Sequence, residues 1–327
     1  MKHILQDALI KKRLFLVERQ LQKIISFDDT FISREVRQIL ESGGKRLRPL
    51  LLLLVAEYFE NKTDDIYKVA AIMELIHVSS LIHDDINDGA KLRRGQQTIN
   101  DKYNDELAVH LGDYLFMKTL SMAYEVKNSE MVLSTIAQMA IEMSKGEFVQ
   151  IQSLFDLNQS LKDYYYKIER KTAFLIANCC KLGACLSEAS AEEIEAFYQY
   201  GFHLGIAFQI KDDLLDIAQT SHIELLGKPI GCDLLQGHIN LPTLLVLNEE
   251  FSEKEELLNI INSRFPKGKE DSERALEIIR HQDAIEKSEG YILKHIEQAK
   301  AALNILKPKK IVDYFYESAD YIWKRNK

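Results

Sequence analysis

The chain has 327 residues, 46% of them hydrophobic, enough for one large core, and its 42 cationic and 50 acidic side chains leave a formal charge of −8. Such a balance gives nucleic acid no general attraction, so anion recognition has to be built locally. The longest purely apolar run, Leu50 to Ala56, is too short to cross a bilayer, and Met1 to Asp7 lacks a signal-peptide core. Cys179, Cys180, Cys185 and Cys232 include no Cys-x-x-Cys pair and read as reduced core residues of a cytoplasmic protein, with peripheral membrane association at most.

Apolar residues recur at helical spacing from Ile4 to Leu40, as two helices broken near Phe27-Asp28-Asp29, and Gly43-Gly44 ends the second. A basic stretch, Lys45-Arg46-Leu47-Arg48-Pro49, opens an apolar helix running through Leu54. Thr63 or Asp64 caps the next helix, which is apolar on nearly all sides and therefore central, and Gly89 stops it. Ala90 to Asn104 is polar and reads as a loop folding back over the preceding aspartates. Helices follow over Asp105 to Val126, Ser129 to Phe155 and Ser160 to Leu186, and another opens at Ser190. Ser160 with Asp163, and Ser190 with Glu193, have capping-box spacing. After the loop Leu226 to Asp233, helical patterns begin after Pro242, Ser252, Asp271 and Pro308. No strand alternation is long enough for a sheet, so residues 1–327 read as one all-α domain.

Two acidic clusters stand out. Asp84-Asp85-Ile86-Asn87-Asp88 and Asp212-Asp213-Leu214-Leu215-Asp216 share one spacing, and each ends an apolar run. Carboxylates four residues apart lie on one helix face and repel. An oxygen-only set of this kind suits a hard divalent cation such as Mg2+, which takes one or two carboxylates, waters and phosphate oxygens. Lys45, Arg48, Arg93, Arg94, Lys171 and Lys228 flank the clusters, mostly at helix ends or in loops. Metal-binding carboxylates ringed by cations are the equipment for a diphosphate.

Gly43 to Pro49, the first Asp-Asp-x-x-Asp with Leu92-Arg93-Arg94-Gly95, Gly112-Asp113, Gly146-Glu147 with Gln150, Lys171-Thr172-Ala173 and Phe208 to Asp216 occur in an order that resembles the trans-isoprenyl (polyprenyl) diphosphate synthases. The resemblance spans most of the chain, and Gly231 to Gly237 with Tyr321 to Arg325 are most similar to the large catalytic subunit of two-component, long-chain members. It implies the isoprenoid synthase fold, a helical bundle around a central catalytic cavity with both aspartate motifs on facing helices at its mouth. By similarity Asp84, Asp85, Asp88, Asp212, Asp213 and Asp216 bind Mg2+. Arg93, Lys171 and Lys228 meet the allylic diphosphate, with Thr172 and Gln209 beside it, and Lys45, Arg48, His77 and Arg94 hold isopentenyl diphosphate. The implied reaction ionises an allylic diphosphate such as farnesyl diphosphate and couples it to isopentenyl diphosphate, for isoprenoid quinone (menaquinone) synthesis. The implied partners are a second copy or a small regulatory subunit. His238 departs from the family, where many members have lysine, and puts a phosphate contact there in doubt.

Ser80 and Ser79 precede Asp84 by about one turn and are small where short-chain members often have aromatics, while Ile76, Leu75 and Met73 lie a turn further back. An open pocket predicts a product of roughly thirty to forty carbons, set by helix rise along this row.

Simpler readings compete. His77 is by itself more often a core histidine, Lys211 beside Asp212 a surface ion pair, and Tyr164, Tyr165 and Tyr166 helix packing. His77 with His83-Asp84 also fits a helical His-Asp phosphohydrolase, which has no use for the second cluster. A terpene cyclase shares the fold but needs no isopentenyl site, so Lys45 and Arg48 weigh against it. A non-catalytic helical subunit would keep the carboxylate repulsion without a purpose.

Overall fold

The computed structural model describes residues 2–25, 30–44, 46–218 and 231–325. The break expected at Phe27-Asp28-Asp29, Lys45 and Lys228 lie outside them. The chain opens with α1 (Lys2–Gln6), α2 (Ala8–Ile25), α3 (Phe31–Glu41), α4 (Leu47–Tyr58) and α5 (Asp64–Asn87). A hairpin of β1 (Leu92–Arg93) and β2 (Gln96–Gln97) precedes α6 (Ile99–Lys102), α7 (Asp105–Tyr124), α8 (Ser129–Gln152) and α9 (Leu161–Ile168). A π-helical turn, Glu169–Ala173, leads into α10 (Phe174–Cys185), α11 (Ala191–Ala218), α12 (Cys232–Leu235) and α13 (Leu241–Leu247). The chain closes with α14 (Lys254–Asn262), α15 (Lys269–His281), α16 (Ala284–Ala302) and α17 (Lys310–Lys324).

Two compact units result. The first comprises Met1–Met139, Ile176–Gly201 and Ala302–Ser318, the second Ala140–Leu175, Phe202–Ala301 and Ala319–Lys327. In the first, α5 packs against α7, α4 and α2. That explains its composition: it is long and apolar enough to cross a membrane, yet most of its apolar stretch is buried inside the protein. Leu50 to Ala56 on α4 are fully buried, so the leucine run is core. In the second unit α13 packs on α9 and α15, and α14 on α15.

Local chemistry sets the boundaries. Ser160 and Asp163 form the expected capping box, and Ser190 exchanges the same pair of bonds with Glu193. Thr63 is the N-cap of α5 by backbone geometry, but its hydroxyl donates to Asn61 instead of capping. Three features differ from the sequence reading. The polar stretch after Gly89 contains a two-residue hairpin, whose turn residues Arg94 and Gly95 both have positive φ, as a primed turn requires. The helix expected over Ser160 to Leu186 is interrupted at Glu169–Ala173, which widens its backbone where Lys171 and Thr172 sit. And α16 lies in the C-terminal third, where no pattern had been singled out.

Candidate active site

The first cluster ends α5. Asp84 and Asp88 are partly exposed on the face that also carries His77 and Ser80. No basic residue lies in the last turn of α5, so the negative end of the helix dipole adds to the repulsion among these carboxylates. Asp85 points elsewhere. It is 6% exposed and accepts a 2.6 Å bond from Arg93 Nε. The hairpin makes this possible: Asn100 and Thr98 donate to the Ala90 carbonyl, pinning its base, and the strand returns Arg93 to the helix. The loop thus folds back as expected, onto Asp85.

A cationic pocket adjoins the same helix face. Burial first, and then Arg48, Arg94, Arg93 and Arg46, push the His77 imidazole well below its ordinary pKa, so it is neutral near pH 7. Arg46, in the left-handed region at φ 47°, is a fixture of this pocket that the sequence did not single out. Its guanidinium bonds Glu18 at 2.7 Å, Glu74 at 2.9 Å and the Leu40 carbonyl at 2.8 Å. Arg94 donates to the Gly43 carbonyl, and burial lowers its pKa. Gly44 has φ 155°, a backbone conformation that L side chains rarely adopt, and lies against the Arg94 guanidinium. Converging guanidiniums with one neutral imidazole form a site for a polyanion.

Ser79 and Ser80 separate. Ser80 shares the Asp84 face and donates to the His77 carbonyl at 2.9 Å. Ser79 is buried against α7, bonding the Gly112 carbonyl at 2.9 Å, because one residue on a helix turns the side chain by about 100°. The expectation that both serines open the same pocket is corrected accordingly. Ile76 is buried and about 80° off the Asp84 direction, whereas Met73 lies about 20° from it. His83 likewise turns to α7, with Nε2 3.3 Å from the Val109 carbonyl.

The second unit carries the other cluster near the end of α11, whose final turn has no basic residue. Asp212 and Asp216 are partly exposed and Asp213 is buried. Both Asp213 oxygens are engaged: Tyr164 Oη donates at 2.6 Å and Gln209 Nε2 at 2.9 Å. Gln209 Oε1 in turn accepts from Thr172 Oγ1 at 2.7 Å. Burial pushes the Asp213 carboxyl up to about 7 despite those bonds. The resemblance implies Mg2+ at all six aspartates. In the structure each cluster has an outward, partly exposed pair and an inward, buried member.

Lys171 leaves the π-turn to meet Glu147 at 3.0 Å, giving that glutamate a definite contact. Arg170 beside it lies 3.4 Å over the Tyr166 ring and 3.0 Å from Glu142. Lys211 is no surface ion pair. It is buried, 5.3 Å from the Trp323 ring, with its pKa lowered by that burial. Asp212 instead pairs with Arg325, whose guanidinium also bonds the Phe208 carbonyl. Tyr164 and Arg325 are the residues that sequence reasoning underrated. Tyr164 was read as packing, although its place two turns before Lys171 on an apolar helix was the available signal. The His238 amide donates to the Asp233 carbonyl at 2.8 Å.

Among the described residues, no three His, Cys, Asp or Glu side chains are grouped to hold an ion by themselves. The donor chemistry still fits Mg2+, which needs only one or two carboxylates when waters and phosphate oxygens complete its shell. Asp84 and Asp88 supply these on one face of α5, beside cations suited to the phosphates.

Comparison with known proteins identifies the family. The family model described as polyprenyl synthetase matches residues 29–279. Component 2 of heptaprenyl diphosphate synthase from Bacillus subtilis is 35% identical over 325 residues, covering 99% of this chain and 91% of that protein. Heptaprenyl diphosphate synthase from Staphylococcus aureus superposes with a TM-score of 0.90 at 30% identity, over 97% of this chain and 99% of the other. A polyprenyl synthase from Caulobacter crescentus, solved with calcium and isoprenyl diphosphate, gives 0.91 at 31% identity over 98% and 96%. With its all-α isoprenoid synthase fold, the chain belongs to the polyprenyl synthetase family and is a prenyltransferase.

Proposed function

We propose that this prenyltransferase adds isopentenyl diphosphate units to an allylic diphosphate, with farnesyl diphosphate as starter, to give a trans product of roughly thirty to forty carbons for isoprenoid quinone synthesis. The observation that carries it is the outward pair Asp84 and Asp88 next to a pocket where neutral His77 lies among arginines. A divalent cation and a diphosphate complement that arrangement together. Mg2+ held by the outward carboxylates would offset charge on the departing diphosphate. Arg93, fixed by Asp85, and Lys171 with Thr172 would orient that group, and Arg48, Arg94 and His77 the isopentenyl diphosphate. Asp85 and Asp213 act by positioning their partners. Small Ser80 on the Asp84 face supports a long product.

The B. subtilis relative's designation as a second component supports a partnership with a small subunit, a first component, and a second copy is the other partner. Tyr114, Met117 and Tyr124 on α7 are exposed, which suits either. The rival His-Asp phosphohydrolase loses its metal histidine, since His83 faces α7. A terpene cyclase leaves the arginines around His77 without a ligand.

The test is incubation of the purified chain with Mg2+, farnesyl diphosphate and labelled isopentenyl diphosphate, alone and with the small subunit. One long polyprenyl diphosphate is expected. Free diphosphate without chain growth, or a cyclic hydrocarbon, in both incubations would overturn the reading.

A further inference from the structure

Helix α2 is built with two unlike faces. Ile10, Val17, Leu21 and Ile24 are buried, and α2 packs against α4 and α5. A soluble helix then normally turns polar side chains outward. Here Phe15 is 63% and Leu9 41% exposed, and Lys11, Lys12 and Arg19 are exposed with them. At about 100° per residue Phe15 lies between these three cations on one arc of the helix.

The helix as a whole is cationic. Residues 2–25 carry six cationic and two acidic side chains, a net +4 in a chain of −8. Both acids are engaged elsewhere: Glu18 bonds Arg46, and Asp7 accepts from the amides of Leu9 and Ile10 and from Tyr314. Arg13, the buried cation, pairs with Glu57. What remains outward is an aromatic and an aliphatic anchor among lysine and arginine.

We propose that this face of α2 docks on an anionic lipid bilayer, with Phe15 and Leu9 entering the headgroup boundary and Lys11, Lys12 and Arg19 on lipid phosphates. Charge complementarity selects an anionic surface, since a neutral or basic partner would leave three cations unmatched, and the two apolar side chains set among those cations suit a lipid headgroup boundary. Two short anchors and three cations give a loose, salt-sensitive attachment. If the long-chain reading holds, the attachment gives an apolar product a place to go, but the docking stands on the face alone.

The full-length chain is sedimented with vesicles of phosphatidylglycerol and phosphatidylcholine in equal parts, and with phosphatidylcholine alone. Binding to the mixed vesicles only, reversed by salt, is expected. Replacing Lys12→Glu and Arg19→Glu should weaken it at least roughly 30-fold, at about 1 kcal/mol per cation and 1.4 kcal/mol per decade. Phe15→Ser should weaken it too, while circular dichroism and turnover in detergent stay unchanged. Equal binding to both vesicles, no binding to either, or variants that bind like the parent would overturn the proposal. So would loss of self-association in Phe15→Ser during analytical ultracentrifugation, which would give the face to a second copy.

Discussion

Tyr164 donates its phenolic hydrogen to Asp213 Oδ2 at 2.6 Å, tying α9 to the buried carboxylate of the second aspartate cluster. Through Gln209 the same carboxylate reaches Thr172, one residue from Lys171. Tyr164→Phe should therefore cost stability, by about 1–3 kcal/mol for a bond to a buried acid, and should raise KM for the allylic substrate. Urea unfolding and initial rates measure the two effects. An unchanged KM at reduced stability would confine Tyr164 to a packing role.

The same carboxyl makes stability pH-dependent. The unfolded chain releases this proton near 3.8, whereas the folded protein holds it to about 7. Between those values the folded state binds more protons, so this contribution is full below 3.8 and is lost as pH rises through 7. Its size is bounded at about 4 kcal/mol. In metal-free protein, Asp213→Asn should remove this part of the slope in unfolding free energy from about pH 5 to pH 7.5. A slope identical to the parent's would show that Asp213 is already ionised there.

The outward and inward aspartates should fail in different ways. Asp84→Asn removes a proposed Mg2+ ligand and should raise the Mg2+ concentration for half-maximal activity. Asp85→Asn leaves Arg93 without its charged partner and should instead raise KM for the diphosphate substrate by about tenfold or more. Rates measured over a matrix of Mg2+ and substrate concentrations separate the two. Equal shifts in metal demand for both variants would restore equal ligand roles.

Gly205 lies against the end of the π-turn. A Cβ there would come within 2.6 Å of Ala173 Cα, a backbone atom that has no rotamer to escape into. Gly205→Ala should destabilise the protein by about 1–3 kcal/mol and depress kcat/KM by shifting Lys171 and Thr172. Thermal unfolding and kinetics check it, and parent-like values in both would show that α11 yields freely.

Product length should follow the Asp84 face of α5. Ser80→Phe should shorten the product, because an aromatic there fills space one turn behind Asp84. Met73→Ala should lengthen it, and Ser79→Phe should chiefly destabilise, since Ser79 is 3% exposed against α7. Chromatography of the labelled products reads all three. Shortening by Ser79→Phe with no effect from Ser80→Phe would reverse the assignment.

Periodicity, capping residues and the paired acidic motifs determined the helical class, most helix starts, the metal-type chemistry and the family, because these are local and depend on spacing along the chain. The direction of each side chain was another matter. Within Asp84-Asp85 and Asp212-Asp213, neighbours differ by about 100° on the helix, and only the packing of α7, α9 and the hairpin decided which carboxylate turns outward and which meets Arg93 or Tyr164. The π-turn at Lys171 and the contact of Arg325 with Asp212 were equally invisible in sequence. One depends on how a helix seats against its neighbours, and the other joins residues 113 apart in the chain, a pairing that only tertiary structure brings together.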